Sequence, residues 1–283
     1  MQNGRFKFKG SNFTVARVGY GTMQLTGAHA WGPPDDIDAA VELLREAVAL
    51  GVNHIDTADF YGPHVTNRII KTALHPYPHD LAIVTKVGTR RTRDRGWAPA
   101  ASKRELTKAV HDNLKNLDLD ALHVVNLRVG APLGPEEGSI ERPLGVLIDL
   151  KEQGLIRHLG ISNATAAQVR QAREMTEIVC VQNHYNLAHR ADDGLIDELA
   201  EDGIAYTPYF PLGGFRPIQS AKLNKAAKDI GKTPHQVALA WLLHRSPNIL
   251  LIPGTSSISH LRENMEAAKF RLTPETMQTL NSI

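Results

Sequence analysis

The sequence predicts a (β/α)8 barrel. Three observations carry that expectation. Eight short Val/Ile/Leu-rich runs alternate with helical periods from one end of the chain to the other, as parallel strands buried on both faces should. Signatures of the capping-box kind recur between those runs. No linker, repeat, low-complexity segment or composition break divides the 283 residues. One domain over residues 1–283 is therefore expected, a length that suits a barrel closed on itself.

The elements can be justified in order. Arg5 to Thr14, turning around Gly10-Ser11-Asn12, reads as a β-hairpin covering the barrel bottom. The first barrel strand lies in ARVGYGTM. The next helix carries the apolar face Ala40, Leu43, Leu44, Ala47 and Val48 and stops at Gly51, before the strand run VNHIDTAD. LAIVTKV is the third strand run. Ser102 with Glu105 then opens a helix with the face Leu106, Val110, Leu114 and Leu117, leading to LHVVNLRV. Gly154 stops the helix before LIRHLGIS. Thr165 with Gln168 opens the helix before EIVCVQNHY, and Gly203 stops the one before GIAYTPYF. Thr233 with Gln236, with Pro234 at the first helical position, opens the helix before NILLIPGT. An open doubly wound sheet would need a Gly-rich turn running straight into a helix after its first strand. GYGTMQLTG has G-x-G but no such helix start.

The chemistry begins with Asp56, Tyr61 and Lys86. Two consecutive strands deliver a carboxylate, a phenol and an amine to one end of the sheet. An ammonium held by a carboxylate favours the ionised form of a neighbouring phenol, which makes that phenol a usable acid towards a carbonyl oxygen. Trp31 and Trp97 fall in loops after the first and third strands, on the same barrel face, and read as pocket walls. His64, just after the Tyr61 loop, is a further pocket candidate. Trp241 lies in the apolar face of a late helix and reads as core.

Other features narrow the function. A formal charge of +2 is too small to argue for nucleic acid or a membrane surface. The densest basic stretch, Arg90 to Arg95, reads as a solvated loop. The lone Cys180 in EIVCVQ reads as a small buried hydrophobe, and nothing requires an oxidising compartment. MQNGRFKFKGSN lacks an apolar signal core and no run is long enough to span a bilayer, so a cytoplasmic protein is expected. No His/carboxylate cluster decorates the strand ends, and His75 and His79 fall on the wrong barrel face, so no metal is expected.

HIDTADFYG, IVTK, GISN, VQNHYN, PLGG and IPGTSS followed after five residues by EN occur in order across nearly the whole chain. In these motifs the sequence resembles the aldo-keto reductase superfamily, NAD(P)H-dependent barrel enzymes that reduce aldehydes and ketones. GPPDD, DFYGPHVTN, AHRADD and YFPLGGF most resemble a bacterial branch that includes pyridoxal reductases. The resemblance implies Tyr61 as general acid, with Lys86 and Asp56 tuning it. It implies a cofactor-facing strand end at Gly21, Thr22 and Met23, and a nicotinamide carboxamide clamp of Ser162, Asn163 and Gln182. Tyr209 is implied as the aromatic stacked on the nicotinamide, with Phe210, Pro211, Leu212, Gly213 and Gly214 over the pyrophosphate. Gly254, Thr255 and Ser256 match the adenosine 2′ position, and His260, Glu263 and Asn264 the adenine end.

Three departures stand out. Arg128 is aligned where the family has a catalytic His, and as a permanent cation it would hold the substrate oxygen or an anionic group rather than relay a proton. Gly254 replaces a Lys that meets the NADP 2′-phosphate, leaving hydroxyls, amides and Arg262 to do so. Asn67 stands where a Glu is common on the adenine side. The expected function is NADPH-dependent reduction of an aldehyde, pyridoxal among the candidates, with NADP(H) ahead of NAD(H). The alternative is a cofactor-binding regulatory subunit with weak or no turnover. The expected partner is a small-molecule carbonyl substrate, with no nucleic acid and no membrane, in a monomer or weak oligomer.

Overall fold

The computed structural model describes residues 4–131, 134–214 and 218–283. An antiparallel hairpin of β1 (Arg5–Lys7) and β2 (Thr14–Ala16) opens the chain, with Phe6 opposite Val15. The barrel wall begins with β3 (Tyr20–Gly21), β4 (His54–Asp56) and β5 (Ala82–Val87). A second hairpin, β6 (Thr89–Arg91) and β7 (Trp97–Pro99), rises directly from β5. The wall resumes with β8 (Leu122–Arg128), β9 (Ile156–Ser162), β10 (Ile178–Gln182) and β11 (Ala205–Tyr206).

The seven wall strands are neighbours in chain order and pair in parallel throughout. Residues 249–251 close the ring. Ile249 bridges Tyr206 on one side and Leu251 bridges Val18 on the other, both in parallel. The Leu250 N–H donates to the Tyr206 carbonyl at 2.9 Å, and the Gly19 N–H to the Leu251 carbonyl at 2.8 Å. The last two strands are shorter than their apolar runs because Pro208 and Pro253 have no N–H to give a ladder.

Around the wall lie α1 (Ile37–Ala49), α2 (Val65–Leu74), α3 (Lys103–Leu117), α4 (Glu141–Glu152) and α5 (Ala166–Met175). They are followed by α6 (Asp193–Glu201), α7 (Ala221–Asp229), α8 (Pro234–Arg245), α9 (Ile258–Glu266) and α10 (Pro274–Asn281). The capping boxes expected at Ser102, Thr165 and Thr233 all form, each hydroxyl accepting from the N–H three residues on. None of the helices described is long and apolar enough to cross a membrane.

Two apolar layers result. Ile55, Ile83, Val125, Leu127 and Ile161 point outward from the wall against helix residues such as Leu44, Leu106 and Leu144. Ala82, Val84, Val124, Cys180 and Leu250 point inward, where Phe8, Phe13 and Val15 of the first hairpin join them. The hairpin thus fills the floor with side chains as well as covering it. Trp241 is fully buried, its indole N–H donating to Asn281 at 2.8 Å. Burial pushes the Cys180 thiol up to about 12, consistent with an inert core residue.

The floor also holds two histidines, His54 edge-on to Phe8 and His123 beside Phe13. Burial lowers both from 6.5 to about 4. Between those values the unfolded chain binds more protons than the folded one, so stability should fall as pH drops from about 6.5 towards 4. Each of the two histidines contributes about 3 kcal/mol across that window. Urea titrations at pH 7.0, 5.5 and 4.5 read this directly. His54→Leu should flatten the dependence by one histidine's share, and an unchanged slope would show that His54 does not titrate in this window.

Candidate active site

Parallel register sets the site. Asp56, the last residue of β4, lies between Gly21 on β3 and Val84 on β5. Lys86 pairs with Asn126, Asn126 with Gly160, and Ser162 with both Arg128 and Gln182. Because side chains alternate along a strand, Asp56, Lys86, Asn126 and Gln182 all point into the barrel. They form a chain of hydrogen bonds. Lys86 Nζ donates to Asp56 Oδ1 at 2.6 Å and to the Thr57 carbonyl at 2.9 Å. Gln182 Nε2 donates to Asp56 Oδ2 at 3.0 Å, and Asn126 Nδ2 donates to Gln182 Oε1 at 3.1 Å. Gly160 makes room for this chain, since a Cβ there would fall 2.0 Å from Asn126 Oδ1 and 2.7 Å from the Cys180 carbonyl.

Tyr61 sits above the ion pair, with Lys86 Nζ 5.2 Å from the centroid of its ring. Burial alone would depress the Lys86 ammonium, but Asp56 and Tyr61 together hold it above the ordinary lysine value. Burial pushes the Asp56 carboxyl up, and Lys86 and Gln182 oppose that push.

The loop carrying Tyr61 is held from behind by a buried polar network. Thr57 Oγ1 meets the hydroxyls of Thr22 at 3.0 Å and Thr66 at 3.1 Å, and donates to Asn67 Oδ1 at 2.9 Å. Asn67 Nδ2 reaches Asp59 Oδ1 at 3.1 Å and Asn113 Oδ1 at 2.9 Å. Asn67 is fully buried here, its amide spent within this network. His64 belongs to the same support. Its Nδ1 lies 2.5 Å from Asp59 Oδ2 and 3.3 Å from the Asn116 amide on α3, and the bond to Asp59 raises its pKa. Its left-handed backbone, φ 65°, turns the chain into α2. These contacts tie Nδ1 of the imidazole to the loop support.

The wall beside Tyr61 is aromatic. Phe60 stands edge-on to Tyr61 at 5.3 Å, and Trp97 edge-on to both, 5.6 Å from Phe60 and 6.5 Å from Tyr61, with Met23 packed alongside. Trp31 meets the guanidinium of Arg91 at 5.4 Å. The basic stretch expected to be a solvated loop is the β6–β7 hairpin, which carries Trp97 and meets Trp31 through Arg91.

Arg128 ends β8, two residues nearer the mouth than Asn126. It donates to the Ala131 carbonyl at 3.4 Å, and its charge offsets part of the burial that raises the Tyr209 phenol. The residue level with Lys86 is Asn126, which motif alignment passed over. The missed signal was the i, i+2 spacing from Asn126 to Arg128, which puts both on the inner face at different depths.

The residues implied for the cofactor share the same end of the barrel. Gly21 and Gly254 approach so closely that a Cβ on Gly254 would fall 2.8 Å from the Gly21 carbonyl. Thr22 is buried and Met23 half-buried. Ser162 Oγ and Asn126 Oδ1 are buried without a hydrogen-bond partner among the described residues. Asn163, at φ 59°, spends its amide on the carbonyls of Val129, Ala131 and Gly134 at 2.7, 2.8 and 2.9 Å, and its Oδ1 accepts from the Tyr209 hydroxyl at 2.7 Å. The side chains of Asn163 and Gln182, both implied for the carboxamide clamp, are thus hydrogen-bonded within the protein, while the Ser162 hydroxyl has no partner among the described residues. Tyr209 stacks on His184 at 5.5 Å and 13°, and His184 on His189 at 4.0 Å and 9°. The turn after it, Phe210, Pro211, Leu212, Gly213 and Gly214, has positive φ at Phe210, Gly213 and Gly214.

At the far end, Thr255 is buried and its Oγ1 accepts from the Ser257 N–H at 3.0 Å, while Ser256 and His260 are exposed. Arg262 is paired with Glu46 at 2.7 Å, Glu263 accepts from the Thr233 hydroxyl, and Asn264 is buried. Arg262 and Glu263 are therefore drawn to neighbouring helices, because their nearest opposite charge or donor lies there. A separate groove of about 470 Å³, lined by Lys9, Arg170, Arg173 and Glu198, opens at the floor. Arg170 and Arg173 both pair with Glu198 there.

The model of the Aldo/keto reductase family matches residues 17–283. Pyridoxine 4-dehydrogenase of Escherichia coli (strain K12) is 63% identical over 272 residues, covering 95% of each chain. A crystal structure of a thermostable aldo-keto reductase in complex with the inhibitor epalrestat superposes with a TM-score of 0.83 at 29% identity, over 98% of each chain. An aldo-keto reductase from Klebsiella pneumoniae, in complex with NADPH, has the same fold, with a TM-score of 0.80 at 24% identity over 100% of this chain and 95% of that one.

Proposed function

The chain belongs to the aldo/keto reductase family, and from that premise we propose that it reduces pyridoxal to pyridoxine with NADPH, Tyr61 giving the proton. The observation that carries the reading is the buried Lys86–Asp56 ion pair directly under the Tyr61 ring. An ammonium in a dry site costs several kcal/mol to bury unless it is paired. Asp56 pairs it, and the carboxylate is itself held by Gln182. The fixed positive charge then favours negative charge on the phenol oxygen as its proton leaves for the carbonyl oxygen.

The cofactor fits the residues present. Ser162 Oγ, buried without a hydrogen-bond partner among the described residues, suits a polar group at the strand ends. Gly21 and Gly254 let the first and last barrel segments approach each other at the strand ends, where any side chain would obstruct the contact. Ser162 would hold the carboxamide, Tyr209 the ring face, the 210–214 turn the pyrophosphate, and Thr255 and Ser256 the 2′-phosphate. When bound, NADPH supplies a hydride from its nicotinamide ring. The protein's part is to hold the aldehyde against that face and the phenol against the oxygen. Thr255, Ser256 and nearby N–H groups favour NADP(H) over NAD(H).

Pyridoxal is assigned because the relative at 63% identity is named for pyridoxine, and because the mouth suits it. The aldehyde is a flat ring bearing an ionisable phenol, and the mouth offers aromatic edges and the Arg128 cation. The test is NADPH oxidation at 340 nm with pyridoxal, beside a neutral aromatic aldehyde and with NADH in parallel. Turnover of pyridoxal is expected to exceed that of the neutral aldehyde, with NADPH preferred. Absence of turnover on every aldehyde would favour a regulatory subunit, and equal dissociation constants for the two cofactors would remove the 2′-phosphate role from Thr255 and Ser256.

A further inference from the structure

We propose that Arg91 is a positioning residue that sets which aldehydes the site takes. Its guanidinium locks Trp31 and Trp97 into a rigid aromatic wall beside Tyr61 that favours flat aromatic aldehydes over small aliphatic ones. This rests on the placement of the reacting carbonyl at Tyr61.

Arg91 ends β6, beside the turn of the second hairpin and opposite Trp97. Its guanidinium carbon lies 4.1 Å from the centroid of the Trp97 ring and 5.4 Å from that of Trp31, so the cation bridges two indoles. The planar fork is also filled. Nη1 donates to the Ala30 carbonyl at 2.7 Å, Nη2 to His29 at 3.0 Å and to Arg95 at 2.5 Å, and Nε to Gly96 at 3.2 Å. Three of those four carbonyls belong to residues with left-handed backbone, His29 at φ 60°, Ala30 at 53° and Arg95 at 64°. Such a conformation costs about 1 kcal/mol or more at a residue other than glycine and persists where surroundings hold it. Four donors in one rigid plane supply that hold. A lysine, with three donors on a flexible stem, would not match the geometry.

The clamp reaches the acid by two routes. The Ala30 carbonyl that accepts from Arg91 also accepts from the Gly62 N–H at 3.2 Å, one residue after Tyr61. Trp97, pinned by the guanidinium, presents its edge to Phe60 and Tyr61. Three loops therefore share one anchor: 22–33, the Tyr61 loop and the β6–β7 hairpin. A wall ordered beforehand costs a ligand no side-chain entropy on binding. A flat ring that covers the wall gains from this. A three-carbon aldehyde held only at its carbonyl gains little.

The test uses Arg91→Met, which keeps much of the stem and deletes the fork, and Arg91→Lys, which keeps the charge alone. With Arg91→Met, KM for pyridoxal should rise about tenfold while KM for propanal moves less than about twofold. kcat on both aldehydes and the Kd for NADPH should stay close to wild type. Arg91→Lys should follow the Met variant, and a Lys variant equal to wild type would overturn the forked clamp. Acrylamide quenching supplies a readout without turnover. Trp241 is fully buried, so quenching reports Trp31 and Trp97, and it should increase in both variants. Losses shared equally by both aldehydes, or unchanged quenching, would overturn the proposal. A wild-type protein inactive on every aldehyde would count against the reductase reading instead, while quenching would still decide whether the clamp exists.

Discussion

Tyr61→Phe should bind NADPH almost as the wild type does and lose turnover by about 10²–10⁴-fold, the usual worth of a positioned general acid. The substitution removes one oxygen and keeps the ring. The edge contacts to Phe60 and Trp97 involve the ring and survive it. The backbone bond from the Tyr61 N–H to the Ala58 carbonyl at 2.9 Å survives as well, so the loop keeps its shape. The loss should therefore fall on kcat, with little change in Tm. Single-turnover measurements with pyridoxal establish whether proton and hydride transfer limit the rate. A Phe variant that keeps most of its turnover under those conditions would remove Tyr61 from the acid role.

Lys86→Met should produce a loss of similar size in turnover, joined by a loss of stability that Tyr61→Phe does not share. Removing the ammonium leaves the Asp56 carboxylate buried, with Gln182 as its remaining side-chain partner. Stranding one member of a buried pair costs about 3–5 kcal/mol, less whatever is recovered when the carboxylate takes up a proton. Burial already favours the protonated form of Asp56, so the variant should be most destabilised above neutral pH and partly recover as pH falls. The double variant Asp56→Leu with Lys86→Met removes both charges and should regain much of the stability without regaining turnover. Denaturant titrations and kinetics on the two variants separate these effects. Stability unchanged in Lys86→Met at pH 8 would mean that the pair is not a buried ionic contact in solution. Turnover restored in the double variant would mean that the ammonium has no part in the chemistry.

The sequence by itself determined the barrel, because its signals are local. A strand buried on both faces reads as a short apolar run, and a capping box spans four residues, as at Ser102, Thr165 and Thr233. The meeting of Asp56, Tyr61 and Lys86 was legible for the same reason, since consecutive strand ends and the loop between them share one barrel face. What only the tertiary structure decided was register and partnership. Register between β5 and β8 sets Asn126 level with Lys86 and leaves Arg128 nearer the mouth, and no property of either strand alone contains that offset. Partnership decided the fate of polar side chains. Gln182 lies under Asp56, Asn163 bonds loop carbonyls, His64 braces Asp59 and Arg262 turns to Glu46. Arg91 reads in sequence as one of several solvated cations. Four carbonyls and two indoles from separate loops claim it in space. A buried or half-buried donor goes to whichever acceptor the fold brings within about 3 Å, and that acceptor is chosen by chain segments far away in sequence.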